Sequence, residues 1–206
     1  MKRLTIGLDI DGVIVDIAAA MLPLLSKVCG RPVSHQDLRY WNLGEALGLD
    51  EKAVANIWTK TLDDGLLRQA PPIKGALEGL SRISGHNIWL VTRRPSYTRH
   101  PTQSWLSEYG VKYDRIEFVN QGKKVSVEQK FDLFVEDYLE EALAFAEAGV
   151  FSIIFDQPWN QTSISNENCL RVFDWKSIVS VVKRLELDSR QSPDTILPLM
   201  NPTSGE

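Results

Sequence analysis

The chain has 206 residues, a net charge of −4, and hydrophobic and charged fractions of 43% and 24%, which are typical of a globular protein with one domain and a modest insertion. Because no basic block accompanies this negative charge, the composition argues against binding to a nucleic acid polymer. Cys29 and Cys169 are the only cysteines and lack metal-site spacing, so we expect reduced thiols, a cytoplasmic protein and no zinc site.

The first apolar segment, from Leu4 to Val15, contains two aspartates one residue apart, Asp9 and Asp11, followed by Gly12. A short run rich in Ile and Leu predicts a buried parallel strand. The aspartates would then lie at its carboxyl end, where ligands bind in open α/β sheets. Two buried carboxylates need a compensating charge, so this edge predicts a divalent metal site. The same aspartates interrupt the apolar run, which therefore cannot be a signal peptide, and we expect no contact with a membrane.

The segment from Ile17 to Gln69 shows helical periodicity and no strand pattern. We predict a helix from Ile17 to Val28 with Pro23 as a breaker, a capped turn at Ser34–Asp37, a short helix at Gly44–Leu47 and a longer one from Asp50 onward. The segment is therefore an all-helical insertion after the first strand.

Strands and helices alternate from Pro71 onward. Further strands are predicted at Asn87–Val91, Arg115–Val119, Phe131–Val135 and Phe151–Phe155, with a short edge strand at Arg171–Phe173. Helices are predicted at Ala76–Ile83, His100–Tyr109, Leu139–Ala148 and Trp175–Leu187. This alternation predicts an α/β fold with a doubly wound, Rossmann-like parallel sheet. The polar residues and prolines after 188 predict a disordered tail at 189–206.

Asp9-Ile10-Asp11-Gly12-Val13 resembles the first motif of the haloacid-dehalogenase (HAD) superfamily of phosphohydrolases. The later motifs follow in order: Thr92 at a strand end resembles the second, and Glu136-Asp137 resembles the fourth. The resemblance implies a catalytic core at 1–16 and 73–188 and a helical cap at 17–72. It covers most of the chain, from Leu4 to Leu187.

The resemblance also implies a role for each matching residue. Asp9 would be the nucleophile and Asp11 the general acid and base, while Thr92 and the amide of Arg93 would hold the phosphoryl group. The side chains of Arg93 and Arg94 fit either a phosphate contact or a solvated loop. Asp9, the backbone carbonyl of Asp11, and Asp137 would bind Mg²⁺, with Glu136 acting through water or on its neighbours.

The third motif of the superfamily is a lysine that neutralises the nucleophile and the phosphoryl group. The spacing favours Lys124, then Lys123, with Lys130 third.

Two segments resemble the 5′(3′)-deoxyribonucleotidases and their bacterial nucleotidase-like relatives: the run from Phe131 to Ala142, and Pro158-Trp159-Asn160. Glu136 departs from the aspartate often found there, which puts nucleotide specificity in doubt. The resemblance implies a Mg²⁺-dependent phosphatase that forms an aspartyl-phosphate and acts on a small phosphorylated metabolite, foremost a nucleoside monophosphate. It is compatible with a homodimer.

Two other functions stay open: a phosphatase or phosphotransferase acting on a sugar phosphate or another small phosphorylated metabolite, and a binding protein without turnover. If a nucleotide is the substrate, Tyr40, Trp41 and Trp58 of the insertion could stack on its base. The alternative is that they form the core of the cap, which we favour for Trp58.

Overall fold

A sheet of six parallel strands forms the centre of the computed structural model, which describes residues 2–62, 64–119 and 124–188. The strands are β1 (Thr5–Leu8), β2 (Asn87–Thr92), β3 (Arg115–Phe118), β4 (Leu133–Glu136), β5 (Phe151–Phe155) and β6 (Cys169–Val172). Their order is β3-β2-β1-β4-β5-β6, so β1 lies between β2 and β4. In this register Leu8 pairs with Leu90 on one side and with Val135 on the other. The predicted doubly wound α/β sheet is confirmed.

Helices cover the sheet and form the insertion. They are α1 (Ile17–Cys29), α2 (Leu43–Leu47), α3 (Glu51–Leu62), α4 (Asp64–Gln69), α5 (Ala76–Ile83), α6 (Arg99–Glu108), α7 (Leu139–Glu147) and α8 (Trp175–Asp188). Short 3-10 helices lie at His35–Asp37, Ser96–Thr98, Lys124–Ser126 and Pro158–Asn160.

Helix α1 continues through Pro23, where the sequence predicts a break. A proline inside a helix removes one backbone hydrogen bond. Ile17, Met21 and Leu25 are four residues apart and all buried, so they form one apolar face across the proline. Packing of this face offsets the lost hydrogen bond, because most helix stability in proteins comes from tertiary contacts.

The hydrophobic core explains why the central strands could be predicted from apolar runs. Ile6 and Leu8 of β1, and Leu133 and Val135 of β4, have no solvent exposure. Both faces of a parallel sheet are covered by helices, so its inner strands are apolar throughout.

The described residues from Ile17 to Gln69 form only helices and turns, as predicted. The chain leaves and re-enters the core side by side, since Asp16 N donates to Pro71 O (2.8 Å) and Ile73 N donates to Ile14 O (2.8 Å). The division into a core at 1–16 and 73–188 and a cap at 17–72 stays a prediction, because one apolar cluster runs from Ile14 into Ile57 and Leu67 of the insertion. The tail at 189–206 lies outside the described residues. None of the described helices combines the length and apolar character needed to cross a membrane.

Candidate active site

The predicted catalytic residues meet at one edge of the sheet because the strands that carry them are neighbours. Asp9 directly follows β1, Thr92 ends β2, and Glu136 ends β4 just before Asp137. Asp9 N donates to Val135 O (2.9 Å), which ties the end of β1 to the end of β4. Parallel strands all end at the same edge, so residues far apart in sequence converge there.

Gly12 allows the loop after β1 to pass against Asp137. Its φ of +75° lies in the left-handed region, which favours glycine. A Cβ atom at this position would lie 2.1 Å from Asp137 Oδ2. The glycine therefore meets two requirements, a turn and a close approach to a carboxylate.

Asp9, Glu136 and Asp137 form a buried acidic cluster whose ligand oxygens all lie within 4.8 Å of one another. Burial raises the pKa of Asp9 and Asp137 and raises that of Glu136 to about 8, and repulsion between the carboxylates adds to each increase. Lys124 is the one cation shared by these carboxylates among the described residues, so with all three carboxylates ionised the cluster would lack two positive charges. This donor set suits a divalent cation with a preference for oxygen ligands.

Lys124, the first choice for the lysine of the third motif, contacts the acidic cluster. Its Nζ is 2.7 Å from Asp9 Oδ1 and 2.8 Å from Glu136 Oε2. Burial opposes the charged form of Lys124, but the two carboxylates outweigh it and raise its pKa. Lys130 is exposed on the surface, and Lys123 lies outside the described residues. Of the predicted lysines that the structure describes, only Lys124 reaches the site.

Glu136 has two sets of neighbours, which bears on its predicted role outside the metal shell. It belongs to the acidic cluster with Asp9 and Asp137, yet both of its oxygens accept hydrogen bonds from Lys124 Nζ (3.2 and 2.8 Å). This pairing is compatible with Glu136 acting on its neighbours, while the cluster geometry also allows it to contact a cation directly.

Asp11 is held by an arginine whose pairing the sequence did not reveal. Arg94 Nε donates to Asp11 Oδ2 (2.8 Å) and Arg94 Nη2 donates to Asp11 Oδ1 (2.7 Å). The Arg94 side chain is buried, whereas Asp11 is partly exposed towards the cavity. The two residues are 83 positions apart, so only the fold brings them together.

Thr92 and Arg93 also line the cavity. Thr92 is buried, and its Oγ1 accepts a hydrogen bond from Arg94 N (3.1 Å). The half-exposed Arg93 guanidinium forms an ion pair with Glu141, a buried residue in the first turn of α7. Glu141 also accepts a hydrogen bond from Lys124 N (3.0 Å). The Glu141 carboxylate therefore holds two predicted phosphate ligands: Arg93 through its side chain and Lys124 through its backbone N–H. No sequence pattern indicated Glu141.

The loop after β5 supports Asp137. Trp159 Nε1 donates to Asp137 Oδ2 (3.0 Å), and Asn160 Nδ2 donates to the backbone oxygen of Asp137 (2.7 Å). Gln157 Nε2 donates to Gly12 O (2.7 Å) on the opposite loop. The sequence indicated this segment only as a family marker; the structure gives it contacts to the acidic cluster.

A cavity of about 580 Å³ opens above these residues. Its floor carries the charged groups, and its other walls include Trp41, Trp58 and Leu62 from the insertion. Trp41 packs against Trp58 and Trp159, with ring centroids 5.7 and 5.6 Å away. Tyr40, the other predicted base contact, is more than half exposed and lines neighbouring grooves instead.

The fold is shared with solved HAD structures. A haloacid dehalogenase-like hydrolase, SP0104 from Streptococcus pneumoniae, superimposes with a TM-score of 0.64 at 14% identity, covering 87% of this chain and 98% of that one. The magnesium-bound structure of YfnB from Bacillus subtilis, a presumed HAD hydrolase, gives a TM-score of 0.58 at 16% identity, with 88% and 100% covered. At these identities the likeness concerns the fold.

Relatives in sequence identify the family within this fold. YqfW of Bacillus subtilis, presumed to be a nucleotidase, is 28% identical over 180 residues, which cover 85% of this chain and 92% of the relative. The nucleotidase CA_C3379 of Clostridium acetobutylicum is 26% identical over 191 residues, covering 90% and 96%. The sequence model of the family described as 5′ nucleotidase, deoxy (pyrimidine), cytosolic type C protein (NT5C) matches residues 3–187. The chain therefore belongs to this nucleotidase family of HAD-fold phosphoric monoester hydrolases.

Proposed function

We propose that the protein is a Mg²⁺-dependent 5′-nucleotidase that hydrolyses nucleoside monophosphates through an aspartyl-phosphate on Asp9. The observation that carries this proposal is the meeting of Asp9, Lys124 and Thr92 with the acidic cluster on the floor of one cavity. The family name and the names of the relatives support a nucleotide as the substrate.

Charge compensation is the first requirement of the reaction. An aspartate that attacks a phosphate dianion is repelled by it, so positive charge and hydrogen-bond donors must surround both groups. Lys124 supplies one charge 2.7 Å from Asp9. Asp9, the carbonyl of Asp11, and Asp137 would hold Mg²⁺, which when bound supplies the remaining positive charge and orients the phosphate. Thr92 and the loop amides that follow it would hold phosphoryl oxygens.

Two aspartates share the chemical work. Asp9 attacks phosphorus in line, forming a bond to phosphorus as the bond to the leaving oxygen breaks. Asp11 gives its proton to that oxygen and later takes a proton from the water that opens the aspartyl-phosphate. Asp11 is the partly exposed carboxylate on the cavity side, where a leaving group and then water can reach it.

The insertion would act as a cap that shapes the site of the leaving nucleoside. Trp41, Trp58 and Leu62 bring apolar surface to a cavity whose floor is charged. This polarity matches a nucleotide, which has an ionic phosphate at one end and, at the other, a flat aromatic base whose faces can stack on apolar side chains. Stacking on aromatic side chains tolerates any base, because every base presents a π face.

Asp9→Asn tests the proposal. The amide is no longer a nucleophile, so we expect turnover of deoxynucleoside monophosphates to fall to background while the unfolding temperature stays near that of the wild type. Incubation of the wild type with a phosphate-labelled substrate and acid quenching should trap label on Asp9, and inorganic phosphate should be the product. Near-normal turnover by Asp9→Asn would rule out the covalent mechanism, and transfer of phosphate to an added alcohol as the main reaction would identify a phosphotransferase.

A further inference from the structure

Arg94 makes a two-point contact with Asp11 that phosphate binding does not explain. Its Nε and Nη2 atoms each donate to a different oxygen of Asp11, at 2.8 and 2.7 Å. Such fork-like pairing fixes the plane of a carboxylate as well as its position. The guanidinium is buried, so water competes little for these hydrogen bonds.

Arg94 is itself held from two sides. Its Nη1 donates to Thr102 Oγ1 (2.9 Å), and Thr102 is fully buried in α6. Its backbone N donates to Thr92 Oγ1 (3.1 Å) at the end of β2. A chain of contacts therefore runs from the body of a helix through Arg94 to Asp11, which lies in the loop after β1.

We propose that Arg94 is the positioning residue for the general acid, holding the Asp11 carboxyl in the plane from which it exchanges protons with the leaving oxygen and then with water. This inference rests on the proposed function, in which Asp11 does that work. Three of the five guanidinium N–H groups point to Asp11 and Thr102. Arg93, whose guanidinium is half-exposed in the cavity, is the neighbouring arginine placed for a substrate contact.

The arrangement leaves Asp11 able to react. Its two carboxylate oxygens have about four lone-pair sites, and the fork occupies one on each oxygen. The remaining sites are free to carry the proton that passes to the leaving oxygen and to accept the proton that returns from water. Arg94 keeps its own proton throughout, because a guanidinium does not deprotonate in proteins.

The test compares two leaving groups. From a deoxynucleoside monophosphate the nucleoside leaves as an alkoxide that needs a proton, whereas 4-nitrophenyl phosphate releases a stable phenolate that needs little help. For both substrates kcat/KM reports the steps up to the aspartyl-phosphate. Because a general acid contributes about 10²–10⁴-fold, Arg94→Gln should lower kcat/KM for the nucleotide at least about tenfold and that for the aryl ester much less. Arg94→Lys keeps the charge but not the fork, so its selective loss of kcat/KM for the nucleotide should lie between those of the wild type and Arg94→Gln.

Thr102→Val provides a variant that leaves Asp11 and Arg94 in place. It removes the hydroxyl that receives Arg94 Nη1, so the same selective loss is expected at smaller size. Thr98→Val is its matched control, because Thr98 is equally buried but its hydroxyl donates to Pro95 O rather than contacting Arg94. Thr98→Val should leave the ratio of the two kcat/KM values unchanged.

Equal losses on both substrates in the Arg94 variants, with or without a lower unfolding temperature, would overturn the inference and indicate a phosphate-binding or purely structural arginine. Asp11→Asn, measured on the same substrates, separates this failure from that of the proposed function. If Asp11→Asn is selective for the nucleotide and Arg94→Gln is not, only the role of Arg94 is wrong. If Asp11→Asn itself loses equally on both, Asp11 is not the general acid and both assignments fall.

Discussion

Asp9 and Asp11 are separated by one residue, yet their surroundings differ in a way that fits the different tasks proposed for them. Asp9 is buried among carboxylates and contacts the ammonium of Lys124, whereas Asp11 is partly exposed and contacts the guanidinium of Arg94. An ammonium is a compact point charge, suited to a group that attacks phosphorus beside a metal. A guanidinium fork fixes a plane, suited to a group that must present a proton in one direction. Pairs of carboxylates in unlike environments commonly divide nucleophilic and acid roles.

Gly12 links backbone conformation to the acidic cluster, and Gly12→Ala tests that link. The added Cβ would lie 2.1 Å from Asp137 Oδ2, so Asp137 must move, and the φ of +75° adds backbone strain. We expect loss of Mg²⁺ binding together with a stability loss of about 1–3 kcal/mol, the usual cost of a strained backbone conformation. Isothermal titration with Mg²⁺ and denaturant unfolding would measure the two effects.

Gly30→Ala is the matched control for the backbone effect alone. Gly30 has a φ of +65°, but a Cβ there would meet no atom within 4 Å. It should lower stability without changing Mg²⁺ affinity. Unaltered Mg²⁺ binding in Gly12→Ala would show that Asp137 can move aside and still serve the cation.

At the scale of elements, the site consists of loops that follow neighbouring parallel strands. The sequence could therefore predict the site residues that directly follow an apolar strand, but not the side-chain contacts made within the loops. Asp9, Thr92 and Asp137 could be placed together because each follows an apolar run. The spacing favoured Lys124 but left Lys123 and Lys130 open, since Lys124 begins a 3-10 helix with no periodic signal. The pairing of Arg94 with Asp11 depends on side-chain directions across 83 residues. Glu141 was not singled out because a glutamate in the first turn of a helix is favoured by the helix dipole alone.

Trp41 joins the insertion to the core, and Trp41→Ala tests whether this surface binds the base. The ring lines the cavity and packs between Trp58 of α3 and Trp159 of the loop after β5. Because base stacking on an aromatic side chain is worth about 1–3 kcal/mol, kcat/KM for a nucleoside monophosphate should fall about tenfold or more. Hydrolysis of a small alkyl phosphate without a base should barely change.

Tyr40→Ala is the control for this variant, since Tyr40 is the adjacent aromatic residue but does not line the cavity. It should leave both reactions unchanged. Equal losses on both substrates in Trp41→Ala would mean that the ring packs the insertion against the core and does not contact the base.

At the scale of the whole molecule, the acidic cluster links folding, protons and metal. A carboxyl whose pKa is higher in the folded protein than in the unfolded chain favours folding below the unfolded value, and this contribution is lost as the pH rises through the folded value. For Glu136 that window runs from 4.5 to about 8, and the raised pKa values of Asp9 and Asp137 act in the same direction. The metal-free protein therefore loses stability as the pH rises and these three carboxyls ionise.

Mg²⁺ should restore that stability, and the size of its effect should grow with pH. Protons and Mg²⁺ compete for the same oxygens, so binding must release protons at low pH and needs to release few at high pH. At one fixed concentration of Mg²⁺, we expect a larger rise in unfolding temperature at about pH 8.5 than at about pH 6. As a scale for this effect, free Mg²⁺ at 100 times its dissociation constant stabilises the folded protein by about 2.7 kcal/mol. Measuring the difference with and without Mg²⁺ at each pH cancels titrating groups outside the cluster.

Asp137→Asn should remove most of the Mg²⁺ effect at both pH values, because it removes a proposed ligand. A Mg²⁺ effect that is the same at both pH values in the wild type would show that the cluster is already fully ionised without the metal.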